Sequence, residues 1–334
     1  MPILIAENLW NFDEVVVGQA GPNTKVTIRD AHIATYAQVA QNPHSLYLKT
    51  STKKMAMPTM VLTYAPLLRD EIAQENGFIA LEESKTARRQ TPFAKCEARW
   101  FHPVYAGDTL TGSRCVLEKY VRRGSQFVTF RISATNQDQL LVAQYDYTCV
   151  FSYVKGQRPP PSASASITPS PASSTVSYIA HPISNPNNSA ISSGLLPIGH
   201  LLIPLTVSES QEVMLRKNEF RLAGKHKPSN IHTDEDFAKK NIFAGMVNSG
   251  PATMSYVDQF IENNFPLGSL YNGGRLLLRA ITPFRSGDTV TFSGTVVDHR
   301  VLASLTFMAC QIKGYNQRGE LVCLCEVDIA LAIT

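Results

Sequence analysis

Two histidines close a short polar segment, Lys225-His226-Lys227-Pro228-Ser229-Asn230-Ile231-His232. Imidazole exchanges a proton near neutral pH without environmental help, so each ring is a candidate acid or base. For an isolated histidine such as His232 the ordinary role is a turn residue that bonds the backbone. His226 lies between Lys225 and Lys227, whose charge disfavours a second proton on either ring; a neutral, proton-accepting pair and a solvated loop both fit. Further on, Asn248-Ser249-Gly250-Pro251 brings polar side chains to the start of an apolar run. Asn248 and Ser249 could orient a water or a substrate oxygen, or simply cap a helix. Gly250 allows close approach of another group. Asp108 and Asp288 invite a carboxylate-pair reading, but within Ala-Gly-Asp-Thr and Ser-Gly-Asp-Thr they are expected to close turns. The six cysteines lack zinc-site spacing and are expected to be reduced core thiols.

The elements that position these residues repeat along the chain. Phe101 to Leu110 recurs as Ile281 to Val290, with Pro103, Gly107 and Asp108 matching Pro283, Gly287 and Asp288 at an offset of 180. Asn136-Gln137 matches Asn316-Gln317 at the same offset, which argues for duplication. In each half an apolar run predicts a helix, Met57 to Ile72 and Gly250 to Ile261, with a proline near its start. Strand-like runs follow, from Ala94 to Tyr153 in the first half and from Arg275 to Ile333 in the second, rich in Val, Thr, Phe and Tyr. The class is α+β, and two such sheets pairing edge to edge within the chain would protect their open edges.

At 334 residues the chain is long enough for two cores. Gly156 to Ser177 has little to bury and reads as a flexible linker, followed by an Asn/Ser-rich loop from Pro182 to Gly194. The expected division is 1–155, a linker at 156–198, and 199–334. A net charge of +4 spread along the chain does not make the dense basic stripe of a nucleic-acid binder, though a small acidic ligand fits. The start, Met-Pro-Ile-Leu-Ile-Ala-Glu-Asn, has no leader pattern and no apolar run is long enough to span a bilayer, so a cytoplasmic protein without a membrane partner is expected.

Pro103 to Leu110, the Asn-Gln hairpin, Asn230 to Ala238 and Phe243 to Pro251, taken in order, resemble the MaoC-like double hot-dog hydratases and dehydratases over nearly the whole chain outside the linker. The resemblance implies a long helix wrapped by an antiparallel sheet in each half, the two forming an intrachain pseudo-dimer. It also implies reversible addition of water to an enoyl thioester on coenzyme A or an acyl carrier protein, with no metal or redox cofactor; further pairing into a homodimer is left open. In the family's Asp-x-Asn-Pro-x-His signature His232 falls on the histidine, the general base for water or an α-proton. Lys227 falls on the aspartate, and Ser229-Asn230 replace Asn-Pro. His226 is the nearest other titratable group. Lys225 and Lys227 could attract carrier phosphates. Ser249 replaces the histidine of the usual His-Gly, leaving the Ser249-Gly250 backbone to polarise the thioester carbonyl from a helix N-terminus. Asn230 and Asn248 are carried over as substrate contacts, and Arg275 by analogy with a strand bordering the acyl groove. In the first half Tyr47 stands in the histidine's place and is expected to shape the acyl site, with that half non-catalytic. The missing aspartate keeps open an isomerase, cyclase or dehydratase acting on a carrier-free natural-product intermediate such as a polyketide, and a degenerate acyl-binding protein.

Overall fold

The computed structural model describes residues 7–48, 54–154, 195–225, 227, 229–302 and 305–331. The expected linker, as far as residue 194, and His226 lie outside the described residues. The β-branched and aromatic runs form strands. The first half supplies β1 (Thr24–Thr27), β2 (Phe93–Trp100), β3 (Thr109–Arg122), β4 (Ser125–Thr135) and β5 (Leu141–Ser152). The second supplies β6 (Leu205–Ser208), β7 (Gly274–Ala280), β8 (Thr289–Leu302), β9 (Leu305–Asn316) and β10 (Leu321–Leu331). All ten make one antiparallel sheet in the order β1-β3-β4-β5-β2-β7-β10-β9-β8-β6. Its two halves mirror each other about the β2–β7 junction, where Cys96 pairs with Leu278 and Ala98 with Leu276. That junction uses up the inner edge of each half, and only the four-residue strands β1 and β6 remain outermost.

The duplication reaches the details. A bulge lies between Val116 and Glu118 on β3 and between Val296 and Asp298 on β8, so both strands bend at equivalent places. Asp108 accepts the Tyr105 amide at 2.8 Å, and Asp288 accepts the Arg285 amide at 2.9 Å. Gln137 and Gln317 accept the amides of Thr109 and Thr289. The two aspartates therefore close turns, as expected. All six cysteines are free thiols, and all but Cys115 are buried.

The helices break the symmetry. In the first half α1 (Asp30–Val39) and α2 (Ser45–Leu48) precede a 3-10 turn at Pro58–Met60, α3 (Val61–Tyr64) and α4 (Arg69–Glu75). The continuous helix expected over Met57 to Ile72 is thus two pieces. Pro66 explains the break: it has no amide hydrogen and drives the preceding residue out of the helical region. Ala65 sits at φ −129°, ψ 66°, and Leu68 at φ +48° before the chain turns into α4.

The second half contains α5 (Gln211–Glu219), α6 (Glu235–Lys239) and the unbroken α7 (Gly250–Asn264). α7 is buried on nearly every side, including Asp258, Gln259 and Glu262. Buried polar groups need partners, and here the first half supplies them. Thr59 donates to Asp258 from its amide and hydroxyl at 2.9 and 2.6 Å, and Asn42 donates to Glu262 at 2.7 Å. Among the described residues no helix is long and apolar enough to cross a membrane.

Candidate active site

His232 is held by a turn that its own sequence builds. Asn230 Oδ1 accepts the His232 amide at 2.7 Å, and the Asn230 carbonyl accepts the amides of Thr233 and Asp234. Asp234 then caps α6 by accepting the Phe237 amide at 2.9 Å, while Ser229 donates to its other oxygen. Asn230 is thereby a turn residue whose side chain also reaches Asn218 at the end of α5. The His232 ring packs beside the entry to α7, its Nδ1 lying 2.7 Å from the Val247 carbonyl. A carbonyl can only accept, so Nδ1 carries the hydrogen and Nε2 keeps a free electron pair. Burial pushes the ring's pKa down to about 4; the Val247 bond opposes this, and the charges of Arg221 and Arg69 add to it. The imidazole is a neutral proton acceptor at ordinary pH.

The entry to α7 supplies the complementary charge. Ser249 is the N-cap and accepts the Ala252 amide at 3.2 Å, and Asn248 Oδ1 accepts the Ser249 amide at 2.9 Å. Pro251 has no amide hydrogen, and no described residue accepts the one on Gly250. Gly250 is required here for room. A Cβ on it would meet the Phe93 ring at 2.4 Å, so β2 of the first half rests directly on the first turn of α7.

Two cavities meet at His232. The larger, about 1030 Å³, is mainly apolar and lies between the halves, with Phe93 and Val150 from the first and Ile242, Phe243 and Leu278 from the second. The smaller, about 250 Å³, has several charged side chains in its lining, among them Asp70, Glu82, Lys217 and Arg221. His232, Arg69, Gln90 and Tyr147 line both. Ser249 and Asn230 line the smaller, and Asn248 and Gly250 the larger.

Two of the residues singled out in the sequence are not brought to the site. Tyr47 is 2% exposed and donates its hydroxyl to Glu262 on α7, and it lines neither cavity. Its position is filled by packing, which corrects the expectation of a substrate contact. Arg275 also lines neither cavity. It is held on the sheet by Glu97 at 2.7 Å, Glu326 at 3.5 Å and Asp328 at 3.6 Å, so its charge is already matched. Lys227, in the place of the family's aspartate, bridges Asp70 at 3.0 Å and Glu83 at 2.8 Å in the first half.

Several site residues carry no sequence signal. Arg69 reaches His232's surroundings only because Pro66 breaks the helix, and it bonds Glu82 and the Cys149 sulfur, both at 2.7 Å. Lys217 on α5 lines the smaller cavity, bonds the Tyr256 hydroxyl, lies 3.5 Å from that ring's centre and sits 3.7 Å from Glu209. Burial pushes Lys217 down to about 7 and raises the Glu209 carboxyl, so both partners shift towards their neutral forms. Nothing in the spacing of these residues distinguishes them from solvated side chains.

No family model matches this chain, and no curated protein matches it. Solved structures do. A MaoC-like dehydratase is 16% identical, with a TM-score of 0.66 over 95% of this chain and 98% of its own. A MaoC-like dehydratase from Phytophthora capsici is 12% identical, with a TM-score of 0.61 over 96% and 97%. A Mycobacterium tuberculosis protein described as having a double hot-dog fold is 15% identical, with a TM-score of 0.58 over 98% and 99%. The chain has the double hot-dog fold.

Proposed function

We propose that this chain is a hydratase/dehydratase acting on the α,β double bond of an enoyl thioester, or on the matching 3-hydroxyacyl thioester in reverse. One observation carries the reading: a neutral imidazole with a free Nε2 lies beside the unpaired amide of a helix N-terminus, where two cavities meet. In hydration, His232 takes a proton from water as the oxygen adds to the β-carbon. The thioester becomes an enolate, whose oxygen faces the Gly250 amide and the positive end of α7. The imidazolium then returns its proton to the α-carbon, and the reverse sequence eliminates water. A base displaced this far towards neutrality forms a strong conjugate acid, which favours prompt return of the proton. The acyl chain occupies the larger apolar cavity, with coenzyme A or an acyl carrier protein outside it.

We read residues 1–155 as a hot-dog unit that contributes walls, residues 156–198 as a linker, and residues 199–334 as the unit that carries the base. Lys227 favours a second reading. With a lysine in the aspartate's place and paired to Asp70 and Glu83, that position offers no carboxylate to order water while His232 can still move a proton, which suits dehydration or isomerisation of a carrier-free intermediate.

Crotonyl and longer enoyl thioesters followed by loss of their conjugated absorbance test both readings. The expected outcome is turnover that His232→Ala lowers by about 10²- to 10⁴-fold, the usual contribution of a positioned base. Folded protein with no turnover on any thioester would move the assignment to the carrier-free reaction or to a binding role.

A further inference from the structure

Asp258 and Glu262 stand one turn apart on α7, which puts both carboxyl groups on the same face of the helix. Asp258 is fully buried and Glu262 is 9% exposed. Every donor they receive comes from the first half. The Thr59 amide and hydroxyl both reach Asp258 Oδ2, Asn42 Nδ2 reaches Glu262 Oε2, and the Tyr47 hydroxyl reaches Glu262 Oε1. Beside them, Gln259 donates to the Gln41 carbonyl at 3.1 Å, and Gln41 donates to the Tyr256 hydroxyl at 2.8 Å. α7 therefore meets residues 41–59 along a polar seam, and the two acids lie inside it. Asp258 Oδ1 has no partner among the described residues.

Nothing in the seam answers two negative charges. No Lys, Arg or His among the described residues lies within ion-pair distance of either acid. The titratable groups around them are phenols: Tyr36 from α1, Tyr47 from α2, Tyr64 from α3 and Tyr271 from the segment before β7. Burial raises all four above their ordinary range, so they stay neutral. The His44 ring beside Tyr47 is shifted down by burial and is neutral too. Of β2, which also packs against α7, Cys96 faces the core as an un-ionised thiol, while Lys95, Glu97 and Arg99 alternate onto the other face. β6 has no titratable side chain, and Glu209 and Lys217 meet α7 at Tyr256. Burial raises Asp258 to about 6 and Glu262 well above its ordinary value, with the Asp258 charge adding to the effect on Glu262.

We propose that Asp258 and Glu262 hold one proton between them in the folded chain and form a pH-sensitive latch between the two halves, tight while that proton is bound and weakened when it leaves. The proton belongs to the pair and not to either residue. The folded chain keeps it at a pH where the unfolded chain, with ordinary values of 3.8 and 4.5, has released it. The latch's contribution to stability is therefore complete below those values and is lost as pH rises through about 6 and beyond. His232 works in the opposite direction between 4 and 6.5, so the latch is read from differences between variants.

Infrared spectroscopy of the full chain at mildly alkaline pH reads the proton directly, as the C=O stretch of an un-ionised carboxyl group. The parent chain is expected to show this band, Glu262→Gln to lose it, and Tyr47→Phe to move it to another frequency by removing the hydroxyl bonded to Oε1. Denaturant titrations read the latch itself. From pH 4.5 upward, the folding constant of the parent chain relative to Glu262→Gln is expected to fall about tenfold per pH unit for as long as the folded pair keeps its proton. Absence of the band in the parent chain overturns the proposal, and so does a band that Glu262→Gln leaves in place. A parent-to-variant ratio that stays constant with pH overturns it as well. If Glu262→Gln does not fold, Tyr47→Phe decides: a moved band supports the latch, and an unmoved one overturns it.

Discussion

The entries to the two central helices start from the same place in the sheet and end in different chemistry. Ala56 donates its amide to Val104, and Asn248 donates its amide to Phe284, the residue at Val104's equivalent position. Beyond that shared anchor, the first half runs through Pro58 into a helix broken at Pro66, and the second runs through Gly250 into an unbroken α7. By the resemblance read in the sequence, Tyr47 stands in the first half where His232 stands in the second. His232 bonds the backbone with one nitrogen and presents the second to two cavities, whereas Tyr47 is buried with its hydroxyl on Glu262. His232 stands in the second half, and the broken helix of the first brings Arg69 to the same cavities. The residue in the corresponding position of the first half, Tyr47, is instead tied to Glu262 on α7.

The sharpest way to test this asymmetry is pH. Burial lowers the pKa of His232 from its ordinary value of 6.5 to about 4, so the proton-accepting form persists down to that range. The acid limb of kcat/KM is therefore expected near pH 4 and not near 6.5, for enzyme that stays folded there. Stability should fall in the same direction but earlier: as pH falls from 6.5 towards 4 the unfolded chain takes up a proton that the folded ring resists, so this residue's contribution declines across that window. An acid limb at 6.5 that His232→Ala abolishes would show the ring to be solvated. The next largest effect is expected from Gly250→Ala. Its Cβ would lie 2.4 Å from the Phe93 ring, against a strand that cannot move freely. A loss of about 1–3 kcal/mol in a denaturant titration is expected from overpacking, together with lower kcat as the first turn of α7 shifts from His232.

How much of this was legible in the sequence depends on whether a residue acts through local or distant contacts. The repeat at Pro103 and Pro283, the turn aspartates and the strand runs were readable because turns and sheets follow short-range rules, and both helix entries were marked by proline. His232 was readable from the motif around it, since Asn230 and Asp234 build its turn within a few residues. Ser249 proved to be a cap, one of the two roles its position allowed. The apolar run from Met57 to Ile72 predicts one helix, but Pro66 inside it ends the helical turn. Arg69 and Tyr147 carry no such signal. Both come from the first half to the cavities at His232, and no spacing in one half reports what the other brings. Arg275 and Tyr47 were misplaced for the same reason. Their partners, Glu97 and Glu326 for one and Glu262 for the other, are far away in sequence.

Tyr47→Phe tests the quieter side of the comparison. The hydroxyl is one of two donors to Glu262, the other being Asn42 at 2.7 Å, and burial raises that carboxyl's pKa well above its usual range. Removing the hydroxyl leaves a buried oxygen short of a donor while the ring still fills its space, so the cost should be the hydrogen bond alone, about 1–3 kcal/mol. A lower denaturant midpoint with an unchanged denaturant slope is the expected signature. Turnover per folded molecule should stay near that of the parent chain, because Tyr47 lines neither cavity. If kcat/KM falls with stability unchanged, Tyr47 reaches the substrate after all, and the first half must be counted as part of the site's chemistry and not only of its walls.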